Sequence, residues 1–330
     1  MMITKPSYFD SFRCIAGLCT DSCCKEWDVL VDEEAAAFYR ALPGDLGDRL
    51  REVLTDTEEG TVMTIADGRC PMWRQDGLCR IQAELGEQAL CRVCTEFPRL
   101  RHDYGDFVEL GLELSCPEVA RILFSAPDLP PVCQELPGDE IPEYDTDAMA
   151  VLKATRQQAL ELLALSGYSV KQKLTMLLLY GYQAQGQLDG DEAMPFSPAD
   201  ALASAAQFAR EGSMAEIADF FSSLEILNPQ WPELLNQVGM PRLEDNCLVL
   251  ARYLVERYWL QAVSDYDLAC RVKFMVVFCL LASSLPGDFV CNAQRCSKEI
   301  ENNADNVEAV LDAAYSHRSF TDDRILGLLL

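Results

Sequence analysis

Histidine is almost missing from this chain: His102 and His317 are the only two among 330 residues. A mixed thiolate and imidazole metal site would rest on His102 alone. Paired glycines are missing as well. None of the 18 glycines stands two positions from another, which excludes the Gly-x-Gly turn that opens a Rossmann-type nucleotide site. Basic residues are few, with 27 Lys and Arg against 53 Asp and Glu and a net charge of -26. Such a surface repels phosphate backbones and anionic membranes, which argues against nucleic acid and favours a basic partner or a cationic small molecule. Long apolar runs are missing too. The longest, Phe274 to Leu285, spans about a dozen residues before Pro286, short of the roughly 20 that a bilayer crossing needs. It reads as a buried helix, with no membrane insertion. The opening MMITKPSYFDSFRC has neither the charged n-region nor the apolar h-region of an export signal, so the expected location is the cytoplasm.

Cysteine, by contrast, is abundant. Hydrophobic residues at 49% and charged residues at 24% describe a folded chain, and it carries fifteen cysteines. In a reducing compartment these are not mainly disulfides, so a dense group of them points to metal or catalysis. Nine lie between Cys14 and Cys116, whereas Cys247, Cys270 and Cys279 sit singly in apolar helical stretches, where a free thiol behaves as a small hydrophobe.

The fold class expected is mainly α, with three parts. Residues 1–124 form a Cys-rich, irregular metal-cluster domain with a few short strands, 125–147 a linker or wrapping strand with five prolines, and 148–330 an α-helical domain. In the first part the pattern predicts helices at Asp32 to Ala41 and Gln82 to Cys91, and an extended pair around Met63 and Phe107 to Glu113. Beyond the linker, apolar spacing predicts a helix that stops at Gly167, then one capped by Ser169. Further helices are expected over about 198–210, 214–225, 244–262, 266–284 and 304–316.

Written out, the thiol pattern is Cys19-x3-Cys23-Cys24, Cys70-Pro71, Cys79, Cys91-x2-Cys94-x2-Phe97-Pro98-Arg99 and Cys116-Pro117. Thiolates select zinc or iron–sulfur clusters. Two Cys-Pro pairs favour an iron–sulfur loop, because a zinc ribbon prefers two matched Cys-x2-Cys knuckles and only one is present. One [4Fe-4S] cluster is the favoured reading, with zinc as the alternative. The candidate ligands are Cys19, Cys23, Cys24, Cys70, Cys79, Cys94 and Cys116. Cys23 and Cys24 are adjacent, so their side chains are expected to diverge and one of them to pack beside the site.

The stretch CTDSCCKEWDVLVD resembles the Cys-x3-Cys-Cys-x2-Trp opening of the flagellin lysine-N-methylase family, FliB. CPMWRQDGLCRIQAELGEQAL, CTEFPR, LELSCPEVAR and ARYLVERYWLQAV extend the resemblance over most of the chain. Glu26 stands where the family commonly has Gly, and Arg252 where Asn is usual. The resemblance implies methyl transfer from S-adenosylmethionine to surface lysines of flagellin, with a [4Fe-4S] cluster. Radical chemistry is disfavoured, because after Cys19 and Cys23 the third thiol of Cys-x3-Cys-x2-Cys is absent.

Polar transfer needs a neutral lysine, and removing its proton at pH 7 costs roughly 4–5 kcal/mol. Tyr104 and Glu113, with Asp103 and Glu109 nearby in sequence, are the candidate proton acceptors. Trp27 and Phe97 are candidates to pack against the adenine or the sulfonium, and Arg99 to clamp the donor's carboxylate. The competing class is a non-catalytic iron–sulfur or zinc-binding scaffold whose helical part binds a partner.

Overall fold

Hydrophobic residues are divided among three cores, and the two smaller ones hold the thiol loops. The computed structural model describes residues 1–25, 27–58, 60–126, 129–137 and 141–330. Glu26 and parts of the 125–147 segment lie outside the described residues. The described chain is mainly helical. The first part runs β1 (Met2–Lys5), β2 (Val29–Val31), α1 (Glu33–Ala41), α2 (Gly44–Val53), β3 (Leu54–Thr57), β4 (Gly60–Met63), α3 (Arg80–Leu85), α4 (Arg92–Glu96), β5 (Arg99–Asp103), β6 (Phe107–Leu112), α5 (Pro117–Ser125) and β7 (Val132–Glu135). Helices follow: α6 (Thr146–Ala164), α7 (Val170–Leu188), α8 (Pro198–Phe208), α9 (Met214–Ser222), α10 (Trp231–Leu235), α11 (Asp245–Tyr258), α12 (Leu268–Ser284), α13 (Phe289–Glu301), α14 (Ala304–Ser316) and α15 (Asp322–Leu329).

One sheet has the order β5-β6-β1-β7. The β5–β6 hairpin sets His102 opposite Glu109, β1 runs parallel to β6, and β7 closes the other edge antiparallel to β1. A parallel pair needs a long crossover. Between β1 and β6 the chain folds into the second sheet, β2-β4-β3, and its own core of Val29, Val31, Tyr39, Leu46, Leu50 and Met63. Met63 and Phe107 therefore lie in two separate sheets, not in the single extended pair that spacing predicted.

Local chemistry explains the elements around the thiols. Asp32 caps α1 through Ala35 N–H at 3.1 Å, and its second oxygen accepts from Arg92 N–H at 2.7 Å, so one carboxylate fixes two helix starts. The hydrogen bond from Arg92, with that from Ala35, holds Asp32 below the usual carboxylate range. The predicted helix over 82–91 ends at Leu85, because Gly86 takes a φ of 91° and turns the chain before Cys91.

In the helical part, Ser169 and Gln172 form a reciprocal capping box on α7, as the sequence led one to expect. Every residue of α12 is buried. Its Arg271 pairs with Asp265 at 2.8 Å, and Lys273 with Asp322 at 3.0 Å and the Ala314 carbonyl at 2.7 Å. The α10, α13 and α15 helices were not foreseen. The largest core draws in Phe107, Leu114, Ala120 and Leu123 from the first part, so β6 and α5 pack on the helices.

The α7 and α12 helices meet at Gly181, where an added Cβ would stand 2.6 Å from Val272 Cγ1. Gly181→Ala gains about 1 kcal/mol of helix propensity, but overpacking against a stiff β-branched neighbour costs roughly 1–3 kcal/mol. A net loss of about 1 kcal/mol is expected in denaturant unfolding. An equal or raised midpoint would contradict this packing.

Candidate thiol centre and adjoining cavity

Four segments deliver cysteines to one small core. Cys70 and Cys91 are buried in it, and Cys24 and Cys79 pack against it beside Trp27. The backbone joins them: Cys70 N–H donates to the Cys24 carbonyl at 2.9 Å, and Arg80 N–H to the Met72 carbonyl at 2.7 Å. Tyr39 locks the Cys91 segment, its hydroxyl donating to the Ala89 carbonyl at 2.7 Å from a fully buried position. A second group forms across the chain, where Cys116 packs with Tyr8, Phe9 and Phe12 and lies within electrostatic reach of Cys14 and Cys19.

Cys23 and Cys24 do not diverge as adjacency suggested. Their sulfurs share a hydrogen bond, which brings Cys24 down to about 7, and the Cys91–Cys94 pair brings Cys91 to about 7 in the same way. Burial acts oppositely on the others, pushing Cys70 up to about 12 and Cys116 to about 11. Cys91, absent from the predicted ligands, thus sits with three that were on it: Cys24, Cys70 and Cys79.

The loop of Cys19 to Cys24 is anchored from a distance. Asp21 accepts from Lys298 Nζ at 2.9 Å and from Gln294 Nε2 at 3.1 Å, both on α13, and Gln294 also donates to the Ser115 carbonyl at 2.7 Å. Burial alone would raise the Asp21 pKa, but Lys298, Gln294 and Lys25 together outweigh it and hold the carboxyl below its usual range. The Lys298 ammonium also stands 5.4 Å from the Trp27 ring.

The other predicted residues are scattered. Trp27 and Phe97 do meet, with ring centroids 5.8 Å apart. Arg99 is exposed, its guanidinium 5.4 Å from the Phe12 ring, and strand alternation turns it away from Leu100 and His102. Tyr104 stacks on Phe107 at 4.7 Å, and burial, then Glu109, raises its pKa. Glu113 lies past the far end of β6, about 20 Å away at the usual strand rise. Burial raises Glu113, while Ser115 donates to it at 3.1 Å. Tyr104 and Glu113 therefore do not form one catalytic pair.

Glu113 belongs instead to a buried charge network. Arg257 donates to the Tyr253 hydroxyl at 2.7 Å and pairs with Glu301 at 3.3 Å, and Tyr258 donates to Glu301 at 2.5 Å. Beside this network a cavity of about 710 Å³ opens between the first sheet and helices α6 and α11. On its wall Arg156 forks onto Glu109 at 2.7 and 2.9 Å, and Arg252 donates to Glu256 at 3.0 Å. Glu109 was a sequence candidate; Tyr8, Arg156, Tyr253, Glu256 and Arg257 were missed. Only the helical spacing of Arg252, Glu256 and Arg257 hinted that they share a face.

All fifteen cysteines are free thiols, and their chemistry fits a zinc ion or an iron–sulfur group. Among the described residues, however, no three His, Cys, Asp or Glu side chains are drawn together as a ready-made metal site. Nor does any described helix have the length and apolarity to cross a membrane.

Comparison with known proteins defines the class. The chain is 32% identical over 148 residues to the flagellar biosynthetic protein FliU of Salmonella muenchen, a match covering 38% of this chain and 79% of FliU. It is also 32% identical over 136 residues to the lysine-N-methylases of Salmonella typhimurium and Salmonella choleraesuis, covering 38% of this chain and 33% of theirs. This chain belongs to the flagellin lysine-N-methylase family. The matched segment spans about a third of the lysine-N-methylases' length. No family model and no solved structure matches it.

Two outcomes follow for the metal-free protein. Because the thiolate is the nucleophile, iodoacetamide labelling should climb as pH rises through about 7 at the half-buried Cys24, and more slowly at the buried Cys91, ahead of Cys70 and Cys116. Peptide mass spectrometry reads the order, and Cys70 reacting first would contradict it. Lys298→Met should cost about 3 kcal/mol in denaturant unfolding, the low end for a broken buried pair because Lys25 still faces Asp21. Labelling of Cys19 and Cys23 should speed up; an unchanged rate would detach the loop from this anchor.

Proposed function

We propose that this protein is a protein-lysine N-methyltransferase that moves methyl groups from S-adenosylmethionine to surface lysines of flagellin in the cytoplasm, with a [4Fe-4S] cluster or zinc on its N-terminal thiols. Family membership is the observation that supports it most. The convergence of Cys24, Cys70, Cys79 and Cys91 supports the metal part, and these thiols, with Cys94 beside Cys91, would hold the group. When bound, it supplies a rigid link among four chain segments and a local field.

The lysine nitrogen forms the new N–C bond as the donor's C–S bond breaks and its electron pair stays on sulfur. The proton leaving nitrogen passes to a side chain. Glu113 suits that task better than Tyr104. Burial raises the Glu113 carboxyl and so makes it a stronger base, whereas the same burial keeps the Tyr104 phenol protonated, so it cannot accept until it has lost its own proton. Arg99, Trp27 and Phe97 are less suited to the donor. A lysine already faces Trp27, and Arg99 rests on Phe12.

The second reading, a non-catalytic iron–sulfur or zinc scaffold, draws on the match covering only 33% of the lysine-N-methylases. Anaerobically prepared, iron-replete protein incubated with labelled S-adenosylmethionine and purified flagellin should transfer label to lysine. Full iron content with no transfer would leave the scaffold. Cys79→Ser and Cys94→Ser should lose iron, and Cys270→Ser, buried in the helical part, should not. Equal iron in all three overturns the ligand assignment, and a colourless protein with stoichiometric zinc selects zinc.

A further inference from the structure

The cavity between the first sheet and helices α6 and α11 has no role so far, and its wall is unlike the rest of the surface. In a chain with a net charge of -26, its lining brings five cations, Lys5, Lys153, Arg156, Arg252 and Arg257, together with three carboxylates, Glu109, Glu161 and Glu256. Asp10 and Glu301 pair with Lys5 and Arg257, Glu109 and Glu256 with Arg156 and Arg252, and Lys153 makes no ion pair with a described carboxylate. We propose that this cavity binds the sulfonium methyl donor, a small molecule of the S-adenosylmethionine class that carries a carboxylate and a cation together. The assignment rests on the methyltransferase reading above and supplies the binding site that reading lacks.

Size permits it: about 710 Å³ falls within the roughly 300–1,000 Å³ of small-molecule pockets. The charge pattern then selects the ligand. A purely anionic molecule would lie against Glu109, Glu161 and Glu256, and a purely cationic one against Lys153 and the arginines, so a molecule of both signs is favoured. Lys153 is placed at the rim for the carboxylate. Its ammonium stands 3.6 Å from the Phe107 ring and makes no ion pair with any described carboxylate.

Glu256 is placed for the cation. Arg252 donates to one of its oxygens at 3.0 Å, and the carboxyl is raised by burial in spite of that guanidinium, so a sulfonium beside it relieves an incompletely compensated charge. Tyr8 faces Glu256 from β1's end of the wall and is half-buried. Its phenol adds a hydrogen bond and a π face for the cation. His102, opposite Glu109, has a buried Nε2 with no partner among the described residues, and burial lowers its pKa, so it is a neutral imidazole available to a ligand nitrogen. Leu100, Leu110, Leu160 and Leu163 give the apolar surface that an adenine needs.

Position agrees with the chemistry. Tyr8 and Leu112 both line the cavity and both pack in the core that holds Cys116, so one layer of side chains separates the pocket from the Cys116 loop.

The experiment is calorimetric titration of S-adenosylhomocysteine and S-adenosylmethionine into iron-replete full-length protein. The near-isosteric variants Glu256→Gln and Tyr8→Phe are compared with wild type and with Cys270→Ser. Each cavity variant should bind at least about tenfold more weakly, with iron content and unfolding midpoint unchanged, and Cys270→Ser should bind as wild type. Undiminished binding in both cavity variants overturns the pocket assignment and leaves the methyltransferase reading standing. No binding of either compound to wild type overturns both.

Discussion

The ion pair between Asp21 and Lys298 is the contact on which the candidate site depends. The loop from Cys19 to Cys24 has little secondary structure and exposes several residues, so its own backbone cannot fix where its sulfurs point. Lys298 is buried on α13, a helix wedged among α5, α12 and α14, and it meets Asp21 in the middle of that loop. Gln294, one turn earlier, holds Asp21 and the Ser115 carbonyl together, which ties the first thiol loop to the one that carries Cys116. A part-buried carboxylate is costly to leave unpaired, so the loop has one energetically favoured seat. The helical part of the chain thereby positions residues almost 300 places away in sequence.

That dependence explains what was legible in the sequence. Helices α6, α7, α9, α11, α12 and α14 follow from three- and four-residue apolar spacing and from caps such as Ser169, because local physics decides them. The α13 helix has the same signals, with Asp288 as its cap and Ala293, Cys296 and Ile300 on one buried face, but its polar residues mask them. Those polar residues, Gln294, Lys298 and Glu301, reach Asp21, the Ser115 carbonyl and Tyr258. The thiols were readable as a group because cysteine is rare enough for density to carry information. Which of them share a core was not readable, since Cys91 joins Cys24, Cys70 and Cys79 only after Gly86 has broken the expected helix. The cavity was the least readable feature. Its walls come from residues 4–8, 100–112, 123–131, 153–164 and 248–257, and no local pattern links five segments that only tertiary packing brings together.

Charge organisation adds a second constraint. A chain this acidic gains solubility at the expense of self-repulsion, and its basic residues are too few to neutralise the surface. Many are used inside instead: Arg271 and Lys273 on α12, Lys298 on α13, and Arg156 and Arg257 beside the cavity are all buried or nearly so, each with a carboxylate partner. Concentrating cations in the interior leaves an outer field that attracts basic or cationic species, while the cavity wall carries both signs.

The thiol core and the cavity are connected through one short stretch, Leu112 to Cys116. Leu112 ends β6 and faces the cavity, Glu113 enters the Arg257 network, Leu114 N–H donates to Tyr253 at 3.2 Å, Ser115 accepts from Gln294, and Cys116 precedes α5. Contacts to α11 and α13 thus hold neighbouring residues of one stretch, which couples its two ends. A metal group closing on the thiols would pull on Cys24, Cys70, Cys79 and Cys91, whose core is small, and would stiffen the loop that Asp21 fastens to α13. Through Gln294 and Ser115 such stiffening would load the stretch that begins at Leu112 on the cavity wall.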